Sequence, residues 1–315
     1  MKAVIIKKYG DAQQLKMGRI ARPSIGPEEV LVEVKAIGIN PIDWKIRSGK
    51  FKAIHQKKFP MVLGTDFSGV VNELGKKVKD FKKGDLVFSS LPAMQGQGAY
   101  AEYVKINAKH LAKKPEKISF EKAAAISVAG LTALQGLKNK CRIQKNMQVL
   151  INGASGGVGH FAVQLAKHLG AEVTGVCSDR NTEFVRSIGA DHVINYKEKD
   201  FTKDDSTKYD IIFDAVANKS FGSCKPVMKD KSIYFNTLPT PGRFTRKVLP
   251  SLSGKKLQTI ICDINRTELE ILAKMLEDEI LKVYVDKVFP LAEIQAAHEY
   301  SETGRTRGKI VLKAT

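Results

Sequence analysis

The stretch Ile151 to His160, INGASGGVGH, places glycine at 153, 156, 157 and 159 directly after the apolar run MQVL. The spacing G-x-x-G-x-x-G of Gly153, Gly156 and Gly159 lets a turn of backbone approach a pyrophosphate, whose charge then sits at the positive end of a following helix. Ser155, Gly156, Gly157, Val158 and Gly159 are the residues such a phosphate would touch. The next apolar run ends at VTGVCSDRN, with Cys177 where an NAD-preferring site holds a carboxylate for the ribose hydroxyls. Ser178 and Arg180 offer a hydroxyl and a guanidinium to a 2′-phosphate, which points to NADPH. Asp179 keeps a second reading open, since it could turn inward to the ribose. Arg180 can equally be read as an ordinary surface residue.

These residues need a strand before the turn and a helix after it. MQVLING supplies the first. In VGHFAVQLAKHLG, Val158, Phe161, Ala162, Leu165, Ala166 and Leu169 recur at helical spacing, and Gly170 is a plausible stop. EVTGVCS, HVINY, DIIFDAVA, SIYFNTL and LQTIICD are further strand candidates. Six short apolar strands alternating with crossovers predict a doubly wound parallel sheet. The first third is different: KAVIIK, EVLVEVKAIGI, FSGVVNEL, GDLVFS and AYAEYVKI are short β-branched runs, and the alternation in VLVEVKAIGI predicts strands with one wet face. The chain closes with TELEILAKMLEDEIL as an amphipathic helix, KVYVDKVF as a strand, LAEIQAAHEYSETG as a helix and RGKIVLK as a strand. The fold class is therefore α/β, a β-rich module joined to a wound sheet.

The apolar fraction of 43% and charged fraction of 27% fit a globular protein, and the longest nearly uncharged run, AAAISVAGLTAL, is too short to span a bilayer. The N-terminal MKAVIIKKYG returns to lysine too soon for a signal peptide's apolar core, so a cytoplasmic location is expected. Cys141, Cys177, Cys224 and Cys262 form no C-x-x-C pair, which argues for reduced thiols over disulfides or a cysteine-built zinc site. A net charge of +19 would attract polyanions, but lysines such as Lys57, Lys58, Lys76, Lys77, Lys82 and Lys83 are dispersed with little aromatic interleaving. No specific nucleic-acid partner is expected. Peripheral contact with an anionic membrane remains open.

From end to end the chain resembles the zinc-independent quinone oxidoreductases of the medium-chain dehydrogenase/reductase superfamily. The resemblance rests on AIGINPIDWKIRSG, FPMVLGTDFSGVV, GDLVF, GAYAEYV, AAAISVAGLTALQGL, NGASGGVGHFAVQLAKHLGA, SIGADHVINY and GKIVL. It implies a GroES-like domain at 1–122 and 265–315, a Rossmann NADP-binding domain at 123–264, and a homodimer. Zinc members carry cysteine near the position of Asn40 and histidine at that of Thr65. Asn40 and Thr65 bind zinc poorly, and the cysteine-rich structural-zinc lobe is missing. Asp43 and Asp66 match acidic positions beside that metal and are read as structural hydrogen-bonding residues.

Without a metal, a nicotinamide can still reduce an electrophile that accepts hydride readily, so quinones and α,β-unsaturated carbonyls are the expected substrates. A developing oxyanion needs donors. Asn40 can offer amide hydrogens, or be a loop amide satisfied internally. Trp44, the only tryptophan, can stack on a flat acceptor or simply pack. By resemblance, Thr132 lies beside the nicotinamide, Tyr196 near the adenosine, and Lys309 points toward the cofactor. Core packing for Tyr196 and a surface place for Lys309 are the competing readings. An enoyl-thioester reductase, or a nucleic-acid or membrane-surface binder that keeps the fold, are the alternatives of function.

Overall fold

The structure, a computed structural model, describes residues 1–52, 59–92, 98–204, 206–237 and 254–314. Lys57, Lys58 and much of the loops around them and around Gln95 lie outside the described residues. The chain divides into two compact units, Met1–Val128 with Ile264–Thr315, and Ala129–Asp263. The division falls inside the helix Phe120–Gln135.

The spine of the first unit is the strand Glu29–Ile39. It pairs antiparallel with Asp66–Leu74 and Lys309–Lys313, and Tyr103–Asn107 also pairs with its first half. Glu33 and Lys35 are partly exposed and paired with each other, but a register shift between Val34 and Ala36 follows, and Ile37 and Ile39 join Val30, Val32 and Val34 in one core. The predicted wet face is thus confined to a short stretch. Leu86–Ser90 and Ala112–Lys113 extend the sheet beyond Asp66–Leu74. Phe67, wholly buried in this core, is a residue whose truncation to alanine costs about 3–5 kcal/mol.

The C-terminal segment completes this unit. Val285–Pro290 runs parallel to Lys309–Lys313, which lays Ile310 opposite Ile39. Between them, helix Ile294–Glu302 packs on the short helix Pro41–Arg47. Helix Arg266–Glu277 is capped by Asn265, whose Oδ1 accepts from the Glu268 N–H at 2.9 Å. It buries Leu269, Leu272, Ala273 and Leu276, the stripe its spacing predicts.

The second unit is a six-stranded sheet with every pairing parallel. The order is His192–Asn195, Glu172–Cys177, Gln148–Asn152, Tyr209–Asp214, Met228–Asn236 and Lys256–Thr259. All six predicted strands are present. The order reverses between Gln148–Asn152 and Tyr209–Asp214, and a ligand crevice belongs at the carboxyl ends of strands flanking such a point. The helix Gly159–His168 follows the first strand through the glycine turn. Val149, Leu150 and Ile151 are fully buried, as is Phe213 on the neighbouring strand, which explains their nearly continuous apolar character in a sheet covered on both faces.

Candidate active site

In the second unit the glycine turn is shaped by what it lacks. Gly153 has φ +78°, and a Cβ there would strike Val216. A Cβ on Gly159 would collide with the Gly153 carbonyl, so the helix can start this close to the strand only without one. A Cβ on Gly156 would meet only the Gly153 oxygen, at 3.4 Å, and that side of the turn is open. This cradle fits a pyrophosphate at a helix N-terminus.

At the next strand end, Ser178 is buried, while Asp179 and Arg180 are exposed. Asn181 joins the two halves of the site: its Nδ2 donates to Ser155 Oγ at 3.1 Å and to Ser178 Oγ at 3.3 Å. Asn181 escaped the sequence reading. Its only signal was a polar residue following Ser178-Asp179-Arg180. Tyr196 is 58% exposed, which removes the core-packing reading. Its backbone N–H donates to Cys177 O at 3.0 Å, holding the ring beside the end of that strand. Thr132 is buried on the helix Phe120–Gln135, and its hydroxyl has no partner among the described residues.

In the first unit, sheet register assembles a second cluster. Gly38 faces Asp66 and Ile39 faces Ile310, so the strand ends bring Asn40, Thr65, Asp66 and Lys309 together from distant parts of the chain. All four are buried. Lys309 Nζ donates to Asn40 Oδ1 at 2.5 Å and to Ile39 O at 3.1 Å, and lies 3.5 Å from Asp66 Oδ2. The Asn40 amide donates to Thr65 Oγ1 at 3.1 Å and to Asp66 Oδ2 at 2.8 Å. Asp66 Oδ1 accepts from Val128 N–H at 3.2 Å. Burial raises the Asp66 carboxyl above its usual range, against the pull of Lys309.

Two expectations change here. Both Asn40 amide hydrogens are spent inside the cluster, because an ammonium can only donate and therefore fixes which end of the amide is oxygen. Lys309 is not a surface lysine: at 3% exposure it is a buried cation bonded to Asn40.

Behind Asn40 runs a second buried chain. Asn40 N–H donates to Asp43 Oδ2 at 2.8 Å, and Tyr100 Oη–H to the same oxygen at 3.1 Å. Tyr100 Oη is 2.9 Å from His298 Nε2, and His298 Nδ1 is 3.3 Å from an Arg47 NH1. Arg47 also donates to Glu302 Oε1 at 2.6 Å. Since arginine has no acceptor, His298 Nδ1 accepts and Nε2 carries the hydrogen. Burial pushes Asp43 up to about 7, with the Asp66 charge adding to the rise. Burial, then Arg47, pushes His298 down to about 3. His298, which nothing in its sequence neighbourhood singles out, lies in the core at 0% exposure.

Trp44, on helix Pro41–Arg47, is partly buried with Lys45 and Lys50 over its ring at 5.5 and 4.8 Å. Its buried Nε1–H has no acceptor among the described residues. Burial, and then Lys50, hold the Lys45 ammonium below the usual lysine range. None of the four cysteines is in a disulfide among the described residues.

The comparisons with known proteins agree with this geometry. Residues 26–116 match the alcohol dehydrogenase GroES-like domain, and residues 188–312 match a family described as zinc-binding dehydrogenase. The chloroplast envelope quinone oxidoreductase homolog of Arabidopsis thaliana is 33% identical, over 99% of this chain and 98% of its own. The chloroplastic NADPH-dependent alkenal/one oxidoreductase of the same plant is 35% identical, over 99% of this chain and 79% of its own. The solved quinone oxidoreductase of Coxiella burnetii superposes with TM-score 0.91 at 33% identity, covering 100% of this chain and 99% of that one. Fold and site thus define a medium-chain dehydrogenase/reductase, and the chain belongs to the quinone oxidoreductase family of that superfamily.

Zinc, which one family description names, does not fit the residues present. At Asn40 and Thr65 an incoming cation would meet amide hydrogens and the Lys309 ammonium instead of lone pairs. Among the described residues, no three His, Cys, Asp or Glu side chains gather as a metal site. No described helix is long and apolar enough to cross a membrane.

Proposed function

We propose that the protein is an NADPH-dependent oxidoreductase that reduces quinones and α,β-unsaturated carbonyls. The observation that carries this reading is the glycine cradle joined through Asn181 to a strand end that offers the Ser178 hydroxyl and, at Cys177, no carboxylate. Gly153, Ser155, Gly156, Gly157, Val158 and Gly159 hold the pyrophosphate. Ser178 and Arg180 receive the 2′-phosphate, and Tyr196 lies along the adenosine. Bound NADPH supplies the hydride.

The chain's own residues handle the charge that follows. Reduction of a conjugated carbonyl leaves an oxyanion, and the Lys309 ammonium, held by Asn40 in a buried and therefore weakly screened place, stabilises negative charge in its surroundings. Trp44 offers a flat face and an indole N–H, and Thr132 a hydroxyl, neither with a partner among the described residues. The same reading includes a homodimer, a cytoplasmic location, and a basic surface that touches anionic membranes only peripherally.

The test is NADPH oxidation against a panel of quinones, enones, aldehydes and crotonyl-CoA. Quinones and enones are the expected acceptors. Crotonyl-CoA as the sole good acceptor would favour a thioester reductase, and no turnover with any acceptor would overturn the assignment.

A further inference from the structure

We propose that the hydroxyl of Thr65 donates the hydrogen bond that meets the oxygen bearing negative charge as the acceptor is reduced, with Asn40 and Lys309 as the positioning residues behind it. The inference rests on the reductase reading above and adds to it the donor that Asn40 itself cannot be.

The argument is one of direction. Lys309 Nζ has only hydrogens to give, so Asn40 Oδ1 accepts at 2.5 Å and the amide nitrogen must face the other way. That nitrogen has two hydrogens. One goes to Asp66 Oδ2 at 2.8 Å and the other to Thr65 Oγ1 at 3.1 Å. Thr65 Oγ1 is therefore an acceptor in this chain, and its own hydrogen must point elsewhere. No acceptor for it exists among the described residues. Thr65 is buried at 4% exposure. A buried donor without an acceptor needs an explanation, and an incoming substrate oxygen is one.

The chain also has the right polarity. It begins at a cation and runs Lys309 N–H to Asn40 O, Asn40 N–H to Thr65 O, and Thr65 O–H outward. Each bond polarises the next, so the Thr65 hydroxyl becomes a stronger donor than an isolated threonine. Asp66 balances part of the Lys309 charge, so the effect on Thr65 comes from the direction of the bonds along the chain. Asp66 Oδ2 faces the Asn40 amide and Lys309, and its Oδ1 faces the Val128 N–H.

For an enone, hydride forms a C–H bond at the β-carbon, the C=C pair shifts into a new C=C bond beside the carbonyl carbon, and the C=O pair becomes the enolate oxyanion. Thr65 stabilises that oxygen by hydrogen bonding and keeps its proton. Water supplies the proton that completes the reduced product.

The experiment compares Thr65→Val, nearly isosteric and without the hydroxyl, with Thr65→Ser, which keeps it. Enone kcat/KM is expected to fall about a hundredfold in Thr65→Val, through kcat, while the NADPH Kd by calorimetry stays at the wild-type value and the Tm drops by a few degrees, because the Asn40 amide hydrogen loses its acceptor. Thr65→Ser is expected to restore most of the loss. Adding Lys309→Met together with Asp66→Asn, which removes the buried pair as a unit, to Thr65→Val should cost little further activity, because Lys309 acts through that hydroxyl. If Thr65→Val does not fold, Thr65→Ala is read in the same way. Wild-type turnover with Thr65→Val equally active would overturn the Thr65 role and leave the reductase reading standing. A wild-type protein inert toward every quinone and enone would overturn both.

Discussion

The glycine turn and the Asn40 cluster are built by opposite means. At residues 153–159 the chain removes side chains so that strand end and helix start can pack closely, and its tolerance is set by volume: a Cβ on Gly153 or Gly159 meets neighbouring atoms. At Asn40 the chain buries side chains that satisfy one another, and tolerance is set by charge and hydrogen-bond direction. The first design is open to any pyrophosphate. The second is nearly closed on itself, so a perturbation there is felt as an unpaired group and not as a lost contact with ligand.

The largest effect expected from that contrast is on stability. Lys309→Met leaves the Asp66 carboxylate buried without its cation, at a cost of about 3–5 kcal/mol. Lys309→Met with Asp66→Asn should recover most of it in urea unfolding. Equal losses in the single and double variants would show that the pair is not coupled. At the turn, Arg180→Glu should leave unfolding unchanged and weaken NADPH about tenfold or more, with NADH affected under threefold. Equal weakening of both nucleotides would remove Arg180 from the 2′-phosphate.

A smaller effect is on pH. Asp43, raised to about 7, binds a proton in the folded state that the unfolded chain has released, so its contribution favours folding below about pH 4 and is lost as pH rises toward 7. His298, lowered to about 3, does the reverse: its contribution is present above about 6.5 and is lost as pH falls toward 3. The two slopes oppose each other between about pH 4 and 6.5. Lys309, Asp66, Tyr100, Arg47 and Glu302 surround the pair. Asp43→Asn should therefore unmask a stability that rises with pH across this window, and His298→Gln one that falls. Identical pH profiles for the two variants would contradict the compensation.

The turn was legible in sequence because its parts are consecutive and its neighbours repeat at strand and helix spacing. The six strands themselves followed the same local logic, though their order in the sheet did not. The Asn40 cluster was legible only as a family position. Nothing near Asn40 in sequence shows that Lys309 orients its amide, since sheet register alone joins residues 269 apart. Arg47 and His298, 251 apart, are likewise joined by the packing of helix Ile294–Glu302 on Pro41–Arg47. The wet face of Glu29–Ile39 is shorter than its alternation predicts, because the register shift between Val34 and Ala36 is not written in the polar–apolar pattern and Ile37 and Ile39 join the core of Val30, Val32 and Val34.

The central claim is that this chain moves hydride from NADPH to an activated acceptor with the buried Lys309–Asn40–Thr65 chain in the position of a metal. Its most direct test is the rate of enone reduction by protein stripped with a chelator, with residual metal measured by mass spectrometry on the same sample. Full turnover at negligible metal is the predicted result. Loss of turnover that returns on adding zinc would contradict it.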